Sequence, residues 1–131
     1  MLDWHLRSPK VPPPDEEQQV RLPNPERAAV DIVKLKEYCL SPRHEHGKHK
    51  ARVFASALGL TGVNAAWLRD RLLEAASHEA GLAAKTRYGA MYVIDFELRT
   101  SSGEAMVRSG WIVRTGEDFP RLTTCYVKRT T

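Results

Sequence analysis

Cysteine is scarce in this chain: Cys39 and Cys125 are the two present. That is too few for a disulfide scaffold, and the spacing does not suit a metal site. A reduced, cytoplasmic protein is therefore expected. No apolar run approaches the roughly 18 residues of a membrane-spanning helix. The first residues hold no basic segment followed by an apolar stretch, so no secretory signal is expected. There is no glycine-rich phosphate loop, no G-x-S-x-G and no H-E-x-x-H. "HEHGKH" has the residue types of the last motif without its spacing. No internal repeat is visible. At 131 residues, 42% apolar and 27% charged, the remaining expectation is one domain with a modest core.

Proline and charge are unevenly spread. Six of the eight prolines fall in residues 1–25. Proline fixes φ and removes a backbone donor, so this stretch should hold neither a regular helix nor a paired strand. Residues 1–24 are expected to be a proline-rich extended arm, able to pack on a partner or on another copy of the chain. Residues 25–131 are expected to form a single α+β domain. Of the net charge of +4, the arm contributes three basic against four acidic groups, and the rest holds seventeen against twelve. That excess leans toward an anionic partner such as RNA, DNA or an acidic protein.

Along the body the apolar period changes once. "RAAV" (27–30) suits a short strand or an extended lead-in. Asp31 is placed to cap a helix in which Ile32, Leu35, Tyr38 and Cys39 recur at helical spacing, and Pro42 ends it. A second helix is expected from Gly47 or Lys48 to Leu58, with Ala51, Phe54, Ala55 and Leu58 on one face. Asn64 should cap a third, closed by Gly81. From about Lys85 the apolar residues alternate. Tyr88, Ala90, Tyr92, Ile94, Phe96 and Leu98 share one parity of a strand. "SSG" is a hairpin turn, "EAMVRSGWIVRT" a second strand and "RLTTCYVKR" a third. The expected architecture is α+β: about three N-terminal helices packed on one face of an antiparallel meander of three to four strands.

Two stretches resemble a known family. "KLKEYCLSPRHEHGKHKARVF" is similar to the opening signature of a family of small bacterial domains. Asp31, Lys34, Leu35, Tyr38, Leu40, Pro42, His44, Gly47, Lys50, Ala51 and Phe54 match its pattern. "YGAMYVIDFEL" and "VRSGWIVRTGEDFPRLTTCYV" resemble its glycine-led strand, its tryptophan strand and its ending. The resemblance covers roughly residues 22–127. Members of that family occur free-standing and as C-terminal modules of polymorphic toxins. The order of helices then strands is similar to the nuclease superfamily that groups barnase, EndoU, colicins E5 and D, and RelE. The resemblance therefore implies a toxin-type, metal-independent ribonuclease with a small cognate antitoxin or immunity protein.

Such chemistry needs a base for the 2′-hydroxyl, an acid for the leaving oxygen, and a cation for the charged phosphorane. Residues 40–54 hold three histidines and four lysines or arginines. His44 is the first candidate for acid or base, because it matches the family signature and histidine titrates near neutrality. Lys50, at the start of a helix, is the candidate phosphate contact. Arg121 and Thr123, in the matching C-terminal part, complete the catalytic candidates. Arg52, Arg108, Arg114 and Tyr126 are candidates for holding RNA. Arg121 and Thr123 share a strand face, and Tyr126 falls on the other unless a bulge intervenes. His46 and His49 could meet on a helix, but no cofactor and no native metal site is expected. The competing expectation is a non-catalytic binding or assembly module of a phage- or toxin-associated complex, with no membrane role.

Overall fold

A computed structural model describes residues 19–45 and 47–128. Helix α1 (Ile32–Lys34) begins where expected: Asp31 Oδ1 accepts the N–H groups of Val33 at 3.0 Å and Lys34 at 3.3 Å. It then widens into a π-helical turn, Leu35–Cys39, with the Leu40 N–H reaching back to the Leu35 carbonyl. Leu35, Tyr38 and Cys39 are buried by it. Helix α2 (Lys48–Leu58) has the expected bounds, with Ala51, Phe54 and Leu58 inward. Gly59 closes it at φ 67°, a left-handed conformation that suits glycine. Helix α3 (Ala65–Ala75) follows a 3-10 turn, Gly62–Asn64, in which the Asn64 side chain accepts the Thr61 N–H at 2.9 Å.

The strands are β1 (Gln19–Arg21), β2 (Glu79–Thr86), β3 (Gly89–Thr100), β4 (Gly103–Arg114) and β5 (Arg121–Val127). Every neighbouring pair is antiparallel, in the order β1-β2-β3-β4-β5. The α+β class holds, with five strands among the described residues where three to four were expected. Gly81 does not close α3, which ends at Ala75; it lies in β2. The residues of β2, "EAGLAAKT", are mostly of low β-propensity and do not alternate, so pairing with β3 determines their conformation. Residues 86–89 form the β2–β3 turn, and Tyr88 is 45% exposed rather than core.

The end of the segment assigned to the arm enters the sheet as β1, and Leu22 is buried. Residues 1–18, and with them any pairing of copies through the arm, lie outside the described residues, as does His46. "RAAV" forms an extended lead-in: Ala29 makes a parallel bridge to Arg121, donating to the Pro120 carbonyl and accepting the Leu122 N–H, both at 2.9 Å.

The core lies between the helices and one sheet face. Ile94, Phe96, Leu98, Val107, Trp111 and Cys125 meet Leu35, Phe54, Leu58, Leu68 and Leu72. Buried Ser109 donates to the Ile94 carbonyl and accepts from Trp111 Nε1, each at 2.9 Å, so the polar atoms of this pair are satisfied. Among the described residues no helix is long and apolar enough to cross a membrane.

Candidate functional site

The other face of β3, β4 and β5 carries most of the chemistry. In an antiparallel sheet, partnered residues share a face. Asp95, Arg108 and Tyr126 are register partners across the three strands, and Arg121 pairs with Ile112. Arg108 and Ile112 have the same parity on β4, so Tyr126 and Arg121 share a face despite opposite parity on β5. A bulge makes this possible: Trp111 pairs with Leu122 and Gly110 with Thr124, which leaves Thr123 as the extra residue. Gly110 gives the bulge room. A Cβ there would lie 3.0 Å from Thr123 Oγ1 and 3.2 Å from Thr124 Cγ2.

Lys50 reaches this face from the first turn of α2. Its Nζ donates to Thr124 Oγ1 at 3.4 Å and stands 5.1 Å from the centre of the Tyr126 ring. The hydrogen bond is long and the ring contact is a cation–π geometry. Neither fixes the ammonium as a carboxylate would.

Arg108 is held differently. It grips Asp95 with two prongs, at 2.8 and 2.9 Å, and Lys128 adds a third bond to Asp95 at 3.1 Å. Burial alone would raise the Asp95 carboxyl; hydrogen bonds from Arg108 and Lys128, with their charges, outweigh it and hold the group below its ordinary value. The guanidinium is raised in turn, first by its hydrogen bond to Asp95, with the Tyr126 oxygen, as acceptor, adding to it. The resulting row, Lys50, Thr124, Tyr126, Arg108 and Asp95, is contiguous, and each member is half-buried.

His44 lies in the loop before α2. Its Nδ1 accepts the Gly47 N–H at 3.1 Å, its carbonyl accepts the Lys48 N–H at 2.8 Å, and its ring centre is 4.3 Å from that of Tyr38. Two donors at the mouth of α2 are therefore taken by His44, which acts as a helix cap. With Nδ1 accepting, the neutral ring carries its proton on Nε2. Gly47 is required where it stands, since a Cβ would lie 2.2 Å from the Tyr38 carbonyl oxygen. At these two donors the helix start beside Lys50 is closed by this internal cap rather than open to an anion.

The other candidates are placed apart from the row. Arg121 is bound in two prongs to Glu117, both at 2.9 Å, and its guanidinium sits 4.8 Å from the Phe119 ring centre. The Arg121 hydrogen bond holds the Glu117 carboxyl below its ordinary value, and the pairing raises Arg121. Thr123 is the half-buried bulge residue. Arg114 is exposed at the end of β4, and its charge acts on Glu117. Arg52 is exposed on α2, roughly 200° around the axis from Lys50, and faces away from the row.

Beyond Asp95 the outer face opens into a groove of about 650 Å³, lined by Arg21, Ser77, His78, Glu79 and Val93. It pairs one arginine with two carboxylates, counting Asp95, so it favours phosphate less than the Lys50 side does. Among the described residues, no group of three or more histidines, cysteines and carboxylates gathers to hold a metal.

Asp95, Lys128 and Glu117 were missed from sequence. Asp95 was legible: once the Ser101–Ser102 turn is placed, the regular β3–β4 register pairs it with Arg108. Lys128 was not, because the bulge breaks the numbering between β4 and β5.

Residues 21–129 match the family described as a domain of unknown function, DUF6883. The chain belongs to that family. No curated protein matches it.

Proposed function

We propose that this domain binds single-stranded RNA across the outer face of β4 and β5, and cleaves it without a metal as the toxic partner of a bacterial toxin–antitoxin or polymorphic-toxin system. The observation that supports this most is the Lys50–Thr124–Tyr126–Arg108 row. It sets an ammonium, a hydroxyl, an aromatic ring and a guanidinium side by side on one half-exposed face. Phosphate oxygens suit the two cations, and a base suits the Tyr126 ring. In cleavage, Lys50 would neutralise the charged phosphorane and His44 would exchange protons with the reacting oxygens. For His44 to take the 2′-hydroxyl proton at Nδ1, the Gly47 N–H must first release that atom. A small acidic antitoxin would compete for the same cations.

A second reading, a non-catalytic protein-binding or assembly module, is favoured by a specific observation. Arg108 and Arg121 are already matched two-pronged to Asp95 and Glu117, and His44 Nδ1 is occupied by the cap.

Titration of a fluorescent single-stranded RNA at several salt concentrations tests the first reading. Phosphate contacts make the logarithm of affinity fall with the logarithm of salt, by about 0.7 per phosphate neutralised. Lys50→Ala should weaken binding and flatten that slope by about one contact. No binding, or binding indifferent to salt, would move the weight to the assembly module.

A further inference from the structure

The groove beyond Asp95 is built by three strands and the loop between α3 and β2. Arg21 on β1 and Glu79 on β2 are register partners, and so are Gly81 on β2 and Val93 on β3. Partnered residues share a face, as do residues two apart on one strand. Arg21, Glu79, Val93 and Asp95 therefore lie on the outer face, and each lines the groove together with Ser77 and His78 of the loop. Opposite charges on register partners favour pairing across a sheet. Arg21 and Glu79 nonetheless form no ion pair, because Arg21 Nη1 donates to the Ser77 carbonyl. Among the described residues, neither the Glu79 carboxylate nor the His78 ring takes part in a hydrogen bond or ion pair. The groove thus holds a free two-oxygen acceptor, a guanidinium with N–H groups to spare, an imidazole and an apolar Val93 side chain. Its volume of about 650 Å³ is that of a small-molecule site.

We propose that this groove is a guanine subsite, in which Glu79 and Arg21 read one base of the bound RNA. A phosphate would meet the Glu79 charge, and a cationic side chain would meet the Arg21 charge, so the mixed pair suits a neutral group with both donors and acceptors. Guanine carries them on adjoining edges. Its N1–H and 2-amino groups are parallel donors for the two Glu79 oxygens, and its O6 and N7 accept from a guanidinium. Adenine and cytosine set an amino donor beside a ring acceptor, and uracil flanks its single N–H with two carbonyls, so none of them offers a carboxylate two parallel donors. The His78 ring and Val93 suit the face of the base. Asp95 belongs to the groove and is also bound to Arg108 in the row. Glu79 and Arg108 stand on strands two spacings apart, about 10 Å, so one RNA strand with a phosphate at Arg108 can set a base in the groove. This subsite rests on the proposal that the outer face binds RNA, and it adds the base that the face selects.

The test titrates the full chain with fluorescent RNA heptamers, all uridine or with a central guanosine, inosine or adenosine. The guanosine heptamer should bind about tenfold or more tighter than the uridine and adenosine ones. Inosine, which lacks the 2-amino group, should fall between them. Glu79 is exposed, so Glu79→Gln should fold; it replaces one accepting oxygen with a donor and should erase the preference. Four equal affinities, or a preference that survives Glu79→Gln, would overturn the subsite while RNA binding by the row stands. If no heptamer binds, the outer face is no RNA surface, and guanosine monophosphate then decides the groove by itself. Its addition should shift the His78 ring protons of the parent chain in NMR spectra, and uridine monophosphate should not. A shift that is lost in Glu79→Gln would keep guanine as the ligand, with a free nucleotide as its source. No shift would overturn the guanine site as well.

Discussion

Gly110 on β4 stands directly against the bulge residue Thr123 on β5, close enough that a methyl group there would fit only if the Thr123 and Thr124 side chains gave way by a few tenths of an ångström. The bulge that this contact accommodates places Arg121 and Tyr126 on one face. Gly110→Val should therefore press on Thr123 and Thr124 and strain the bulge. The expected cost is about 1–3 kcal/mol, as in other overpacked sites, read as a lower midpoint in urea unfolding. RNA affinity should fall with it, because Tyr126 and Thr124 shift relative to Lys50.

His44 has a structural role that can be separated from a chemical one. His44→Ala removes the acceptor of the Gly47 N–H and should cost about 1 kcal/mol. His44→Asn keeps an acceptor near the Nδ1 position and should recover most of that stability. If His44 also moves protons, His44→Asn would be a stable protein without ribonuclease activity. Equal stability losses for both variants would remove the cap from the account.

Asp95 should make the fold sensitive to acid. Its carboxyl lies below its ordinary value when folded, so its stabilising contribution is complete above the unfolded value of about 3.9. That contribution is lost as pH falls through the folded value. Asp95→Asn should thus be less stable than the parent by about 1–2 kcal/mol near neutral pH. The gap should close as pH falls below about 4. Urea midpoints measured across that range check it, and a gap that stays constant would contradict the ion cluster.

Ser109 serves Trp111. Ser109→Ala leaves the buried Nε1 without its acceptor and should cost about 1–3 kcal/mol. Trp111 fluorescence and urea unfolding would register it together. No change in either would mean that the indole finds another acceptor.

Much of the architecture was legible where local chemistry dominates. The Asp31 cap, the α2 limits and the Ser101–Ser102 hairpin each follow from a few adjacent residues. What escaped depends on contacts distant in sequence. Strand β2 forms from alanine and glycine because β1 and β3 pair with it. The shared face of Arg121 and Tyr126 depends on one extra residue that parity alone cannot reveal. Of the candidate site, Lys50, Arg108 and Tyr126 come together. Arg52 faces elsewhere, and His44 is bound to its own helix for a reason invisible without the Gly47 geometry.

The most direct test of the functional account is induced expression in a bacterium of the parent chain beside Lys50→Ala, with growth and total RNA integrity followed together. The account predicts growth arrest with fragmented RNA for the parent, and normal growth with intact RNA for an equally abundant, folded Lys50→Ala protein. Intact RNA in cells filled with the parent chain would contradict it and leave the outer face as a docking surface.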